Sequence, residues 1–189
     1  MQFQVGTNLP CIELLHHHGR TAQPPSRYGI SLIPAGKNIP QKNEQLAPLG
    51  INLVSEFPEN AISGKYSVQL STSSIEESLK FWKEGIGLKV VGQEDENCYL
   101  NHRSISPTWN FNLTITSHSG KAEPMFLDDL GCSCVSFWVR DIEKTIEHLR
   151  SNNASFTGNK FDLIVNGKTV AAAFVRGPHG EMIELLEFS

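Results

Sequence analysis

The sequence predicts an α+β fold made of two successive βαβββ modules, and three observations carry that prediction. A pattern occurs twice, as SVQLSTSSIEESLKFWKEGIGLKVVG at 67–92 and CVSFWVRDIEKTIEHLRSNNASFTG at 134–158. At an offset of 67 positions, Val68 aligns with Val135, Leu70 with Phe137, Ile75 with Ile142, Glu76 with Glu143 and Leu79 with Ile146. Each copy then runs on into further alternating segments. A pattern repeated at a fixed offset marks one supersecondary unit used more than once. Two like halves imply a curled mixed sheet around a cup, with any chemistry lying between them.

The elements follow in order. Residues 66–72 alternate, with Val68 and Leu70 on one face and Ser67, Gln69 and Ser71 on the other. Ser74 opens a helix and Glu77 stands three residues on, the capping-box spacing. Ile75, Leu79 and Trp82 form its apolar stripe, and Gly85 and Gly87 end it. Strands are expected at 88–91, 98–101 and 109–116. In the last, Phe111, Leu113 and Ile115 alternate with Asn110, Asn112 and Thr114.

The second module repeats this order. Its first strand spans 134–139, Asp141 caps a helix, and Ile142, Ile146 and Leu149 make the buried stripe. Ser151, Asn152 and Asn153 break the helix. Strands at 161–165 and 169–175 are joined by a tight Asn166-Gly167 turn. A Gly177-Pro178-His179-Gly180 turn leads to the last strand at 182–188. The modules occupy 65–118 and 131–189, forming one domain over 65–189. Residues 1–64 read as an extension resembling an incomplete module, linked through 58–64. It offers a strand at 9–15, where LPCIELL echoes EMIELL at 181–186, then a strand, a Pro-interrupted helix and a strand over 28–54.

A formal charge of -4 argues against a nucleic-acid partner, and no apolar run is long enough to span a membrane. The N-terminus lacks the pattern of a secretory signal. Four irregularly spaced cysteines (Cys11, Cys98, Cys132 and Cys134) read as reduced thiols, so a cytoplasmic location is expected. The Cys132/Cys134 pair has no second pair to complete a zinc site.

The strand face turned from the helices collects Ser67, Gln69, Ser71, Asn110, Asn112, Thr114, Cys134, Ser136 and Trp138. So polar a face predicts the lining of a wet or ligand-filled cavity. The module order, the helix phrase SSIEESLKFWKEGIGLKVVG and the closing phrase VRGPHGEMIELLEF resemble the vicinal oxygen chelate superfamily. That superfamily includes glyoxalase I, extradiol dioxygenases and bleomycin-binding proteins. The resemblance covers 65–189 and reaches 1–64 only in fragments.

In the metalloenzymes of that superfamily a divalent metal sits in the cup. Its ligands come from the first strand of each module and from a Glu on the last strand. Imidazole and carboxylate ligands suit Fe, Mn, Ni or Zn and leave positions open for substrate oxygens. Carried over, the last-strand acid is Glu184, and counting back from Ser74 and Asp141 places the first-strand positions at Ser67 and Cys134. A shift of two places offers Gln69 and Ser136 instead. Neither frame supplies a strong second ligand.

Glu184 is the candidate catalytic group and metal ligand; its competing reading is a structural acid bonded to the opposite first strand. Ser67, Gln69, Asn112, Cys134, Ser136 and Trp138 are candidate ligand-binding residues, with Trp138 readable as stacking platform or core. If the strand at 9–15 joins a sheet as 182–188 does, Glu13 stands in for Glu184 and His17 shares its face. The alternative for His16-His17-His18 is a solvated run. His102 and His179 fall in expected surface turns, and His118 and His148 belong to no constellation. The resemblance implies a glyoxalase- or dioxygenase-like protein with an atypical metal site, acting on a small oxygen-rich molecule. The alternative is metal-free binding or sequestering of an antibiotic or metabolite, as in the bleomycin-resistance type. Unpaired strands in the extension suggest a homodimer.

Overall fold

A computed structural model of the protein describes residues 2–3, 12–13, 28–32, 51–54, 66–103, 110–119, 124–127 and 132–188. Strands β1 (Gln2–Phe3) and β2 (Ile12–Glu13) pair with each other in a two-stranded sheet. Strands β3 (Tyr28–Leu32) and β4 (Ile51–Leu53) belong to a larger sheet described below.

The first module runs β5 (Tyr66–Thr72), α1 (Ile75–Lys80), a π-helical turn (Phe81–Gly85), β6 (Lys89–Glu94), β7 (Asn97–Arg103) and β8 (Asn110–Ser117). The second runs β9 (Val135–Trp138), α2 (Ile142–Ser151), β10 (Ser155–Phe156), β11 (Phe161–Val165), β12 (Lys168–Arg176) and β13 (Met182–Phe188). The six-stranded sheet has order β4-β3-β5-β8-β7-β6, and the five-stranded sheet has order β10-β12-β13-β9 with β11 also on β12. In both, the module's first strand lies parallel to its last. The remaining strands follow as antiparallel hairpins. The repeated sequence pattern is thus a repeated topology.

Local chemistry explains most boundaries. The Ser74 side chain accepts from Glu77 N at 3.3 Å and starts α1. Asp141 does the same for Lys144 N at 3.0 Å, and Glu187 on β13 accepts from Ile142 N at 3.1 Å. The start of α2 is therefore held by its own cap and by the last strand. Asn166 (φ 52°) and Gly167 (φ 76°) make the primed turn expected between β11 and β12. The first helix does not stay regular. Ile86 N bonds to Phe81 O at 3.2 Å, and this wider turn helps bury both Phe81 and Trp82.

Both helices and the inner faces of both sheets share one core that includes Leu70, Trp82, Ile115, Leu149, Ile183 and Leu185. The helices meet where Gly85 lies against Leu149; a Cβ on Gly85 would sit 3.2 Å from Leu149 Cδ2. His148 Nε2, expected to be isolated, lies 3.0 Å from the Glu84 carbonyl oxygen and adds a polar tie between the modules.

Several expectations are corrected. The strands expected at 88–91 and 98–101 are longer and form one hairpin, with Asp95 at φ 48° in its turn. The short strand β10 was not expected; it shares the edge of β12 with β11. The strand carrying Glu13 pairs with Gln2–Phe3 rather than adding to a module sheet as β13 does. The helix expected between β3 and β4 lies outside the described residues.

The extension is woven into the domain. β3 lies antiparallel to β5 and parallel to β4, and Tyr28 bridges to Cys132 just before β9. β3 and β4 are direct neighbours, whereas the first and second strands of a module stand at opposite ends of its half-sheet. The extension therefore does not repeat the modular strand order.

Candidate functional site

Strand register decides which side chains stand together on the face turned from the helices. In the first module, Ser31 stands in register with Ser67 across β3 and β5, and Asn112 with Asn101 across β8 and β7. Gln69, Thr114 and Tyr99 form the next row. Most of this polar face is buried rather than wet: Ser31, Ser67, Asn101, Asn112 and Thr114 all are. Ser67 Oγ and Thr114 Oγ1 are 2.9 Å apart, and Asn112 Nδ2 donates to Tyr66 O at 3.0 Å. Cross-strand side-chain bonds of this kind let a polar face be buried without a large desolvation penalty. Sequence alternation alone could not separate such a ladder from a wet lining.

The second module presents a different face. Glu184 on β13 stands beside Ser136 on β9, and Leu186 beside Trp138. Ser136 Oγ donates to Glu184 Oε2 at 2.5 Å. Trp138 is 53% exposed, and Phe161 stacks on Phe174 with ring centroids 5.8 Å apart. The result is a partly open apolar and aromatic surface carrying one hydrogen-bonded carboxylate. Cys134, two residues before Ser136, is half-buried.

This register corrects the frame obtained by counting back from the helix caps. Glu184 is paired with Ser136, not Cys134. The internal repeat then makes Gln69 the counterpart of Ser136, and the register partner of Gln69 is Thr114. The symmetric quartet is thus Gln69, Thr114, Ser136 and Glu184. Of the remaining candidates, the Glu13 side chain and His17 lie outside the described residues.

The thiols are held protonated. Burial pushes Cys132 up to about 11, and burial together with the Glu184 charge pushes Cys134 well above the usual thiol range. An acid whose folded value is raised above its unfolded one contributes stability that is complete below the unfolded value of 9.0 and is lost as pH rises through the folded one. Stability is therefore expected to fall between pH 9 and about 11. At pH 8, Cys98, Cys132 and Cys134 should resist alkylation until the protein is unfolded, as peptide mass spectrometry would read.

A cluster missed from the sequence lies at the β12–β13 turn. The side chain of His179 is buried, not at the surface, with Nδ1 3.1 Å from Ser73 Oγ and Nε2 3.4 Å from Glu77 Oε2. Its backbone N–H donates to Glu181 Oε2 at 2.8 Å, and Glu181 is fully buried. This turn of the second module is thereby fastened to the start of the first module's helix. Its partners are about 100 positions away, a pairing that no local pattern announces.

The family model for the Glyoxalase/Bleomycin resistance protein/Dioxygenase superfamily matches residues 66–185. The chain belongs to this superfamily. Among solved structures, a glyoxalase family protein from Enterococcus faecalis is similar at 21% identity and TM-score 0.51, over 64% of this chain and 94% of that one. A glyoxalase/bleomycin resistance protein/dioxygenase from Nocardioides is similar at 14% identity and TM-score 0.49, over 70% and 85%. No curated protein matches the chain.

Members of this glyoxalase superfamily often use metals, which makes the donor set of this chain the relevant test. The quartet holds one carboxylate, one amide and two hydroxyls, and the carboxylate already accepts from Ser136. Among the described residues no group of three or more His, Cys, Asp and Glu is placed to hold an ion. The described residues do not fit a divalent metal at the superfamily position. Among the described residues, no helix is long and apolar enough to cross a membrane.

Proposed function

We propose that this glyoxalase-superfamily protein binds and sequesters a small molecule on the open face of its second module, without a metal ion. The donor set is the observation that supports this reading most: Glu184 is the only ionisable member of its quartet, and Ser136 is bonded to it. A metalloenzyme of the glyoxalase or dioxygenase kind needs several strong ligands and open coordination positions. An exposed Trp138, the Phe161–Phe174 stack and a single carboxylate suit a different task. Together they suit a ligand with a flat apolar body and a cationic or hydrogen-bond-donating head.

Tryptamine and indole-3-acetate share a ring and differ in charge, so they test this reading directly. Titrated against the protein in the presence of a chelator, tryptamine should bind more tightly. Glu184→Gln should erase the difference between the two. Trp138→Ala should weaken tryptamine by about tenfold and, because the side chain is exposed, leave thermal stability nearly unchanged. Equal binding of the two probes, or binding that appears only with added metal, would contradict the proposal.

A further inference from the structure

Three side chains at the junction of the modules have a chemistry that the ligand face around Glu184 does not use. Ser73, just before the Ser74 cap of α1, is exposed, and its Oγ lies 3.1 Å from His179 Nδ1. The other ring nitrogen, Nε2, lies 3.4 Å from Glu77 Oε2. A carboxylate can only accept, so it favours a proton on Nε2. Nδ1 of the neutral ring is then the acceptor, and the Ser73 hydroxyl is its donor. A hydroxyl donating to an imidazole whose far nitrogen faces an acid is the arrangement of a serine nucleophile and its base.

Both elements that carry these groups are fixed. The His179 N–H donates to Glu181 Oε2 at 2.8 Å, and Gly180 N donates to Gly177 O at 3.0 Å. Gly177 makes room for that carboxylate, since a Cβ there would lie 2.6 Å from Glu181 Oε2. On the side of Ser73, His118 N donates to Thr72 O at 2.7 Å, and Thr72 Oγ1 lies 2.8 Å from Ser78 Oγ. Rigid support of this kind preserves a reactive geometry. A simple tie between modules would need neither an exposed hydroxyl nor an acid behind the ring.

We infer that Ser73 is an acyl-accepting nucleophile, with His179 as its base and Glu77 as a positioning residue, and that this site hydrolyses small neutral aryl esters. Ser73 Oγ bonds to the ester carbonyl carbon as its proton passes to Nδ1. The bond from that carbon to the aryl oxygen breaks, and the phenol leaves with the proton. Water then bonds to the acyl carbon, its proton passes through Nδ1 to Ser73 Oγ, and the carboxylic acid is released. The sum is ester plus water giving acid plus phenol. Ser73 is open to solvent, which favours leaving groups that depart with little help. Glu76 and Glu77 in the first turn of α1 disfavour anionic acyl groups.

Incubating the full chain with para-nitrophenyl acetate tests this, with phenol release read by absorbance and the acetylated residue located by peptide mass spectrometry. Acetyl should appear on Ser73 and turn over. Ser73→Ala should lower release by about tenfold or more and, because the side chain is exposed, leave Tm nearly unchanged. Glu77→Ala should slow acetylation, and nitrogen NMR of the imidazole should show the Nε2–H tautomer in wild type and a mixture in this variant. The anionic para-nitrophenyl succinate should react more slowly than the acetate. Equal release from wild type and Ser73→Ala overturns the inference. So does acetyl found only on lysines or on the imidazole, or an Nδ1–H tautomer in wild type. A succinate that reacts as fast as the acetate overturns the preference for neutral acyl groups.

Discussion

Trp82→Ala will destabilise the protein by about 3–5 kcal/mol, the usual range for emptying a buried aromatic site. Trp82 is fully buried in the π-helical turn and belongs to the core shared by both modules. Its ring meets Phe81 edge-on at 5.6 Å and lies 6.4 Å from Phe137 on the first strand of the other module. Removing it withdraws the contact that joins the first helix to the second half-sheet. Trp82 Nε1 has no hydrogen-bond partner among the described residues, so the side chain contributes packing at the expense of one buried donor. Trp82→Phe should therefore lose clearly less than Trp82→Ala. Thermal and urea denaturation of the two variants would measure both effects. Equal losses would mean that the indole has a partner of real strength.

Gly180→Ala should be nearly as damaging, for a different reason. Gly180 has φ +80°, and a Cβ there would lie 2.7 Å from Pro124 Cα, a backbone atom unable to step aside as a flexible side-chain end could. The same peptide is fixed by Met125 N donating to Gly180 O at 3.0 Å, and by Arg176 reaching Gly180 O at 3.2 Å and Met125 O at 2.7 Å. The left-handed backbone costs an alanine roughly 1–2 kcal/mol, and the overlap adds a further ~1–3 kcal/mol. Gly87→Ala separates the two causes. Gly87 has φ +85° with nothing within 4 Å of the added carbon, so only the backbone part should appear. A Gly180→Ala loss no larger than that of Gly87→Ala would show that the segment around Pro124 yields.

Much of this architecture was legible in the sequence because its causes are local. Alternation in 66–72 and 109–116, the caps at Ser74 and Asp141 and the Asn166-Gly167 turn each depend on neighbouring residues, and each is found where its chemistry places it. Features that depend on distant partners were not. The insertion of β3 beside β5, with Tyr28 bridged to Cys132, depends on hydrogen bonds between segments far apart in the chain. His179 looked like a surface turn residue because Ser73 and Glu77 come from the other module.

The site divides in the same way. The place of Glu184 on the last strand follows from local alternation and the closing phrase, but its neighbour is set by the pairing of β9 with β13 rather than by distance from a helix cap, so of the two frames the sequence offered the register puts Ser136, not Cys134, beside it. Polar alternation in the first module correctly separated two faces. It could not tell that Ser67 and Thr114 satisfy each other in a buried ladder.

We propose that this member of the glyoxalase superfamily works without a metal at the position where members often use one. Elemental analysis of untagged protein, coupled to melting curves with Fe, Mn, Ni or Zn added singly, tests it most directly. A bound ion present at a hundred times its dissociation constant would add about 2.7 kcal/mol of stability. A metal-free site gives no stoichiometric metal and no shift in Tm that depends on Glu184. Stoichiometric metal raising Tm in wild type and lost in Glu184→Gln would contradict it.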